Sequence, residues 1–229
     1  MQRETRLQAN RLARFVNFAS RRFHAKRMDF FHRTFRPTRE TTILDVGGTD
    51  YCWRISGISC RLTLCNLDPE LDVAGYCEHI IADGCALPFP DKSFDIVFSN
   101  STIEHVGDIE RQAQFAKEIR RVGRSYWVQT PNKWFPIEPH YVLPCVQFLP
   151  FWLRWRCKYI SPHHLVSMRL PTREEALNLA LEVRLPTARE MRTFFPDGEL
   201  HREKLCGLTK SLVAYKVSIP AVTAGDPSI

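Results

Sequence analysis

No stretch of this 229-residue chain approaches the roughly 18–20 consecutive apolar residues that a membrane-spanning helix needs, so none is expected. The eight cysteines include no Cys-x-x-Cys pair, which leaves a zinc or redox site without local support. There is no internal repeat and no low-complexity tract. The opening residues, Met1 to Arg6, are polar and no apolar core follows them, so no signal peptide is expected. Cys65 sits inside an apolar run, where a reduced thiol behaves as a small hydrophobe. Together these absences favour a reduced, cytoplasmic protein without structural disulfides.

Hydrophobic residues make up 44% of the chain, enough for one domain with a sizeable core. The net charge of +7 is unevenly placed. Residues 1–39 carry eleven Lys/Arg against two acids, so this segment alone is +9 and the rest of the chain is −2. Apolar residues recur at Leu7, Leu12, Phe15, Phe18, Phe23, Phe30, Phe31 and Phe35, which predicts helix over 4–35, closed by Pro37. Such an arm suits packing on the domain with a solvated arginine face. It also suits contact with an anionic membrane surface or a polyanionic partner, or a mitochondrial targeting role. A core without basic excess argues against a nucleic-acid partner.

From residue 42 the rhythm is strand, crossover, strand. Strands are expected at 42–46, 62–67, 79–82, 94–99 and 125–130. An amphipathic helix spans 108–122, with Ile109, Ala113, Phe115, Ala116, Ile119 and Val122 on its apolar face and Gly123 as its stop. Thr172 with Glu175, and Thr187 with Glu190, read as capping boxes that open two further helices. Strands at 199–206 and 211–217 close the fold. Residues 132–170 break the pattern with five prolines and, between Trp134 and Tyr159, eight aromatics, and so long an irregular insertion is usually functional. The expected organisation is a basic helical extension at 1–39, one α/β domain at 40–217 with 132–170 as a substrate cap, and a frayed tail at 218–229.

Three acids stand at successive strand ends. Asp45 precedes Gly47-Gly48-Thr49, a turn in which glycine lets the backbone approach a ligand closely. Asp68-Pro69 ends the second strand, where a carboxylate can accept from both hydroxyls of a ribose. Asp83-Gly84 ends the third, where a carboxylate can accept from the exocyclic amine of a purine. Acids in this register point to a nucleoside-like ligand lying across the carboxyl edge of a parallel sheet.

The stretches Ile43 to Gly48, Leu67-Asp68, Ala82 to Asp95 and Ser99 to Val106 resemble the class I S-adenosylmethionine-dependent methyltransferases, in particular the type 11 methyltransferase-domain family. The most specific element is Asp83, then Leu87-Pro88-Phe89, then Phe94-Asp95. The resemblance implies a Rossmann-like, seven-stranded, mostly parallel sheet with helices on both faces, an antiparallel final strand, and S-adenosyl-L-methionine as cofactor. It implies that Asp45, Gly47 and Gly48 line the methionine end, Asp68 holds the ribose, Asp83 the adenine, and Asn100 and Ser101 lie under the sulfonium. The family's Gly-x-Gly-x-Gly reads Gly47, Thr49 and Tyr51 here, so two glycines are absent; Thr49 would narrow the pocket or meet the methionine carboxylate.

Methyl transfer of this kind needs no metal, and a general base only for a hydroxyl or ammonium acceptor. His105, after the fourth strand, is the first candidate; His140 and Tyr141, after the fifth, are the second; His163 and His164 are less readily placed. The acceptor expected is a small molecule, a lipid or a glycan, with peripheral membrane contact through the basic arm and the aromatic insertion. The alternative is a catalytically inactive methyltransferase-like scaffold. A nicotinamide-dependent oxidoreductase would need a Gly-x-Gly-x-x-Gly turn that is missing.

Overall fold

The alternation of strands and crossovers produces a seven-stranded sheet in the computed structural model, which describes residues 22–70, 75, 77–161 and 171–218. Its strands are β1 (Thr42–Val46), β2 (Arg61–Asn66), β3 (Cys77–Ile81), β4 (Phe94–Asn100), β5 (Gly123–Pro131), β8 (Glu199–Leu205) and β9 (Leu208–Lys216). A separate two-stranded hairpin, β6 (Ile137–Glu138) with β7 (Leu143–Pro144), lies in the insertion. The order is β3-β2-β1-β4-β5-β9-β8; β1 to β5 run parallel, and β9 joins β5 antiparallel. The order reverses between β1 and β4, the crevice in which open α/β sheets take their ligands.

Strand alternation divides the apolar residues between two layers. On β5, Tyr126 and Val128 enter one layer and Trp127 the other; on β4, Val97 faces the first and Ile96 and Phe98 the second. The first layer is covered by α3 (Ile109–Val122), through Phe115, Ala116, Ile119 and Val122, and by α6 (Ala188–Phe194), through Met191 and Phe194. The second layer is covered by the helix at residues 22–35, here α1, through Met28, Phe31 and Phe35, and by Trp53 of the short α2 (Tyr51–Ser56). Burial of these side chains on both faces is what makes the parallel strands nearly continuous apolar runs. The Asp108 side chain caps α3, accepting from Arg111 N–H. Both capping boxes form: Thr172 opens α5 (Arg173–Glu182) and Thr187 opens α6.

The insertion is more ordered than a proline- and aromatic-rich loop implies. The hairpin β6–β7 and a 3-10 turn (Val146–Phe148) lead into α4 (Phe151–Ile160), which packs on α5. Tyr141, Val146 and Cys157 form its own small core. Residues 162–170, including His163 and His164, fall outside the described residues, as do 1–21 of the basic arm and 219–229 of the tail. All eight cysteines are free thiols. Among the described residues, no helix is long and apolar enough to cross a membrane.

Among the described residues of the arm, Arg27 departs from a solvated arginine face. Arg27 is buried, and its guanidinium meets Glu203 of β8 in a fork, Nε to Oε1 at 2.8 Å and Nη2 to Oε2 at 2.7 Å. Its Nη1 donates to Asn100 Oδ1 at 2.6 Å. Burial alone would raise the Glu203 carboxyl, yet the Arg27 fork holds it below its ordinary value. Removing one member of a buried pair strands the other, so Arg27→Ala is expected to cost about 3–5 kcal/mol. Arg33→Ala breaks only an exposed pair with Asp29 and is expected to cost at most about 1 kcal/mol. Urea unfolding at pH 7 checks both. Because the Glu203 carboxyl is depressed in the folded state, its stabilisation is present above the usual glutamate value and fades as the pH falls through the folded value, so the Arg27→Ala deficit shrinks in acid.

Candidate active site

β1 ends with Leu44 facing one layer and Asp45 the other, which drives a carboxylate into apolar surroundings. Trp53 meets it there, donating from Nε1 to Oδ2 at 2.7 Å. The other oxygen, Oδ1, is buried and has no partner. Burial pushes the carboxyl up from 3.8 to about 7, against the opposing pull of the Trp53 hydrogen bond.

The glycine turn closes directly over this carboxylate. A Cβ on Gly48 would stand 2.2 Å from Asp45 Oδ2, and one on Gly47 would stand 2.2 Å from the Thr102 methyl. Gly47 has φ +77°, a left-handed conformation that glycine adopts without strain, and its N–H donates to Cys65 O at 2.7 Å. Asn66 Nδ2 donates to Gly48 O at 3.1 Å, tying the end of β2 to the turn. Ser99 and Thr102 hydroxyls both donate to Val46 O, at 2.9 and 3.2 Å, and bind the ends of β1 and β4 together. Thr49 is exposed, and its hydroxyl accepts from Tyr51 N–H at 3.4 Å at the start of α2.

The other two acids lie along the same edge, one nearer solvent than the other. Asp68 is exposed and accepts from Glu70 N–H at 2.9 Å in a turn that includes Pro69. Asp83 is half-buried; Oδ1 accepts from Cys85 N–H at 2.9 Å and Oδ2 from Arg111 at 2.8 Å. The Cys85 amide, and after it the Arg111 guanidinium, hold its carboxyl below the usual range. Arg111 stands 28 positions from Asp83, where no local spacing announces it, and a purine amine at Asp83 would share the carboxylate with it. Gly84 is a packing requirement, since a Cβ there would meet the Phe115 ring at 2.6 Å.

At the end of β4, Asn100 Oδ1 is occupied by Arg27, and Ser101 takes the left-handed conformation at φ +58°. Two hydrogen bonds to Gln129 of β5 hold Ser101 there, from N–H to the carbonyl at 3.0 Å and from Oγ to Oε1 at 2.9 Å. Arg27, Asn66 and Gln129 are therefore parts of the site edge that strand-end reasoning missed. Their signal is long-range pairing, which no local spacing carries.

The chain next forms a 3-10 turn, Ile103–His105, and brings His105 to His140, 35 positions on, with Nε2 to Nε2 at 3.1 Å. His140 Nδ1 lies 2.7 Å from Glu138 Oε1, and Glu138 Oε2 accepts from Tyr141 N–H at 2.8 Å. His105 is exposed at the mouth, while Glu138 is 2% exposed. Tyr141 diverges from its neighbour: its ring is buried in the cap core, its hydroxyl has no partner, and burial pushes the phenol up to about 12. A phenol so placed is a packing group rather than one presented at the mouth.

The observations fit the methionine end of S-adenosylmethionine: an unpartnered carboxylate oxygen on Asp45 under a turn that only glycine clears. The elevated Asp45 carboxyl has a measurable signature. Its protonated form stabilises the fold, fully below about pH 4, and that contribution is lost as the pH rises through about 7. Relative to Asp45→Asn, the wild-type chain should lose up to about 1.4 kcal/mol per pH unit across that window and run parallel to it above pH 8, as read by urea unfolding without ligand.

Residues 48–125 match the family model described as a methyltransferase domain. Over 54 residues the chain is 35% identical to an uncharacterized protein of Mycobacterium tuberculosis (strain CDC 1551 / Oshkosh), a match that covers 24% of this chain and 18% of that protein. The chain thus accounts for less than a fifth of that relative's length. A chain from the complex between the Haloferax volcanii Trm112 methyltransferase activator and a methyltransferase superposes with a TM-score of 0.51 at 15% identity, over 94% of this chain and 97% of that one. A Bordetella parapertussis protein superposes with a TM-score of 0.50, also at 15% identity, over 86% of this chain and 68% of its own. At these identities the likeness is one of fold.

Proposed function

We propose that this chain, whose sheet has the class I S-adenosylmethionine-dependent methyltransferase fold and whose residues 48–125 match the methyltransferase domain, transfers a methyl group from S-adenosylmethionine to a small-molecule, lipid or glycan-type acceptor. The observation that carries the reading is the end of β1, where Gly47 and Gly48 close over a buried carboxylate with one unpartnered oxygen, at the point where strand order reverses.

S-adenosylmethionine, when bound, supplies a methyl group on a positively charged sulfur. The chain's own residues hold and orient the two reactants. Asp45 faces the methionine end, Asp68 is exposed and keeps one carboxylate oxygen for a ribose beside the one that accepts from Glu70 N–H, and Asp83 with Gly84 lies where the base would rest. Asn100 and Ser101, fixed by Arg27 and Gln129, form the floor between donor and acceptor. Holding donor and acceptor at near-attack distance is worth on the order of 7–11 kcal/mol in such reactions. On the acceptor side the chain presents His105 and His140, backed by Glu138, and these are the groups available to handle an acceptor proton.

An apolar or amphipathic acceptor is supported by the cap. Trp134 and Trp152 are 66% and 61% exposed, and the Phe148 ring lies tilted beside Trp134 with ring centroids 5.5 Å apart. Aromatic surface of this kind suits a large apolar ligand better than a polyanion.

Calorimetry with S-adenosylhomocysteine tests the donor half. The folded chain should bind it, and Asp68→Ala should weaken binding by about tenfold or more, the loss of a charged hydrogen-bond acceptor. A folded wild-type chain that takes up no ligand at millimolar concentration, or an Asp68→Ala variant with unaltered affinity, would instead favour an inactive scaffold.

A further inference from the structure

We propose that Glu104, His105 and His140 form a binding site for a divalent first-row transition cation, open to an oxygen ligand on its solvent side. One ligand atom from each of the three residues lies within 4.8 Å of the others. The two Nε2 atoms are 3.1 Å apart, and nitrogens each about 2.0–2.1 Å from one ion stand at that separation when the angle at the ion is somewhat above 90°. The rings are nearly perpendicular, at 83°, with centroids 4.9 Å apart.

Two independent features point to a ligand. The first is Glu104, which is wholly buried; Oε2 accepts from the Thr130 hydroxyl at 2.9 Å and Oε1 has no partner. A carboxylate oxygen shut away from water without a hydrogen bond is costly, and a cation satisfies it. The second is Glu138 behind His140. Its carboxylate, itself fixed by the Tyr141 N–H, accepts a hydrogen bond from His140 Nδ1–H, the tautomer that leaves Nε2 with a lone pair on the His105 side. A carboxylate behind an imidazole is the usual support for a metal-binding histidine.

The donor set narrows the ion. Two imidazoles and one carboxylate suit Zn²⁺, Co²⁺, Fe²⁺ or Mn²⁺, whereas Mg²⁺ and Ca²⁺ prefer all-oxygen sites. His105 lies exposed, so coordination positions remain for water or for an acceptor oxygen. Sequence spacing conceals this site: adjacent Glu104 and His105 meet a histidine 35 positions later, outside any local metal motif. If the chain is a methyltransferase as proposed above, the cation would hold an acceptor hydroxyl and lower its pKa so that its proton passes to solvent water, the two imidazoles then acting as ligands in place of bases. Metal binding itself does not depend on that reading.

The test uses the full chain, stripped with a chelator and titrated with Co²⁺ alone while its visible absorption is followed; Zn²⁺ bound after gel filtration is then counted by emission spectroscopy. About one ion per chain is expected. His105→Ala, His140→Ala and Glu104→Gln should each weaken it by a hundredfold or more, and Glu138→Gln by about 10–100-fold. His32→Ala, on exposed α1 surface, should change nothing. S-adenosylhomocysteine calorimetry on each variant reports separately on the fold and on the donor half. A wild-type chain that binds S-adenosylhomocysteine but takes up no cation, or cation uptake equal in all variants, overturns the proposal and leaves a simple hydrogen bond between the two imidazoles. Cation uptake without S-adenosylhomocysteine binding would uphold the metal site and count against the methyltransferase reading.

Discussion

The structure depends on one burial. Alternation along β1 commits Asp45 to the layer that holds Phe31, Trp53 and Phe98, where Trp53 offers one of its oxygens an indole N–H. The rest of this sheet edge follows from that placement. The following turn must pass directly over the carboxylate, which restricts Gly48 to glycine, and must also clear Thr102, which restricts Gly47. The end of β4 must then lie against the Val46 carbonyl, where Ser99 and Thr102 secure it. A polar group placed inside an apolar layer thus organises the chain around it.

Much of the fold could be read from the sequence, because the signals were local. Five parallel strands, the α3 helix with its Gly123 stop, and both capping boxes rest on periodicity and on contacts three residues apart, and such signals survive in a linear reading. The three acids were legible for the same reason, since strand ends can be located from apolar runs. Partners were not legible. Arg27 with Glu203 is separated by 176 positions, and His105 with His140 by 35, and no pattern in either neighbourhood names the other. The arginine-rich arm read as a solvated face, and one of its arginines is instead a buried structural group.

The insertion shows a different limit. Prolines and aromatics suggested an irregular cap, but the prolines bound short elements that carry their own small core of Tyr141, Val146 and Cys157. Adjacent residues then divide their duties. His140 turns toward the sheet edge and Tyr141 turns into the cap, with Glu138 holding both, one through its side chain and the other through its backbone. Sequence adjacency made His140 and Tyr141 look equivalent, and the turn after β6 separates them.

Arg27 also links two parts of the chain that are distant in sequence. It spends two donors on Glu203 and a third on Asn100, so α1, the edge strand β8 and the tip of β4 share one guanidinium. Lifting α1 from the sheet would strip Asn100 and Glu203 of their partner in the same motion. Docking of the helix and order at the tip of β4 are therefore a single equilibrium, and whatever binds against Asn100 also acts on how firmly the N-terminal helix is held.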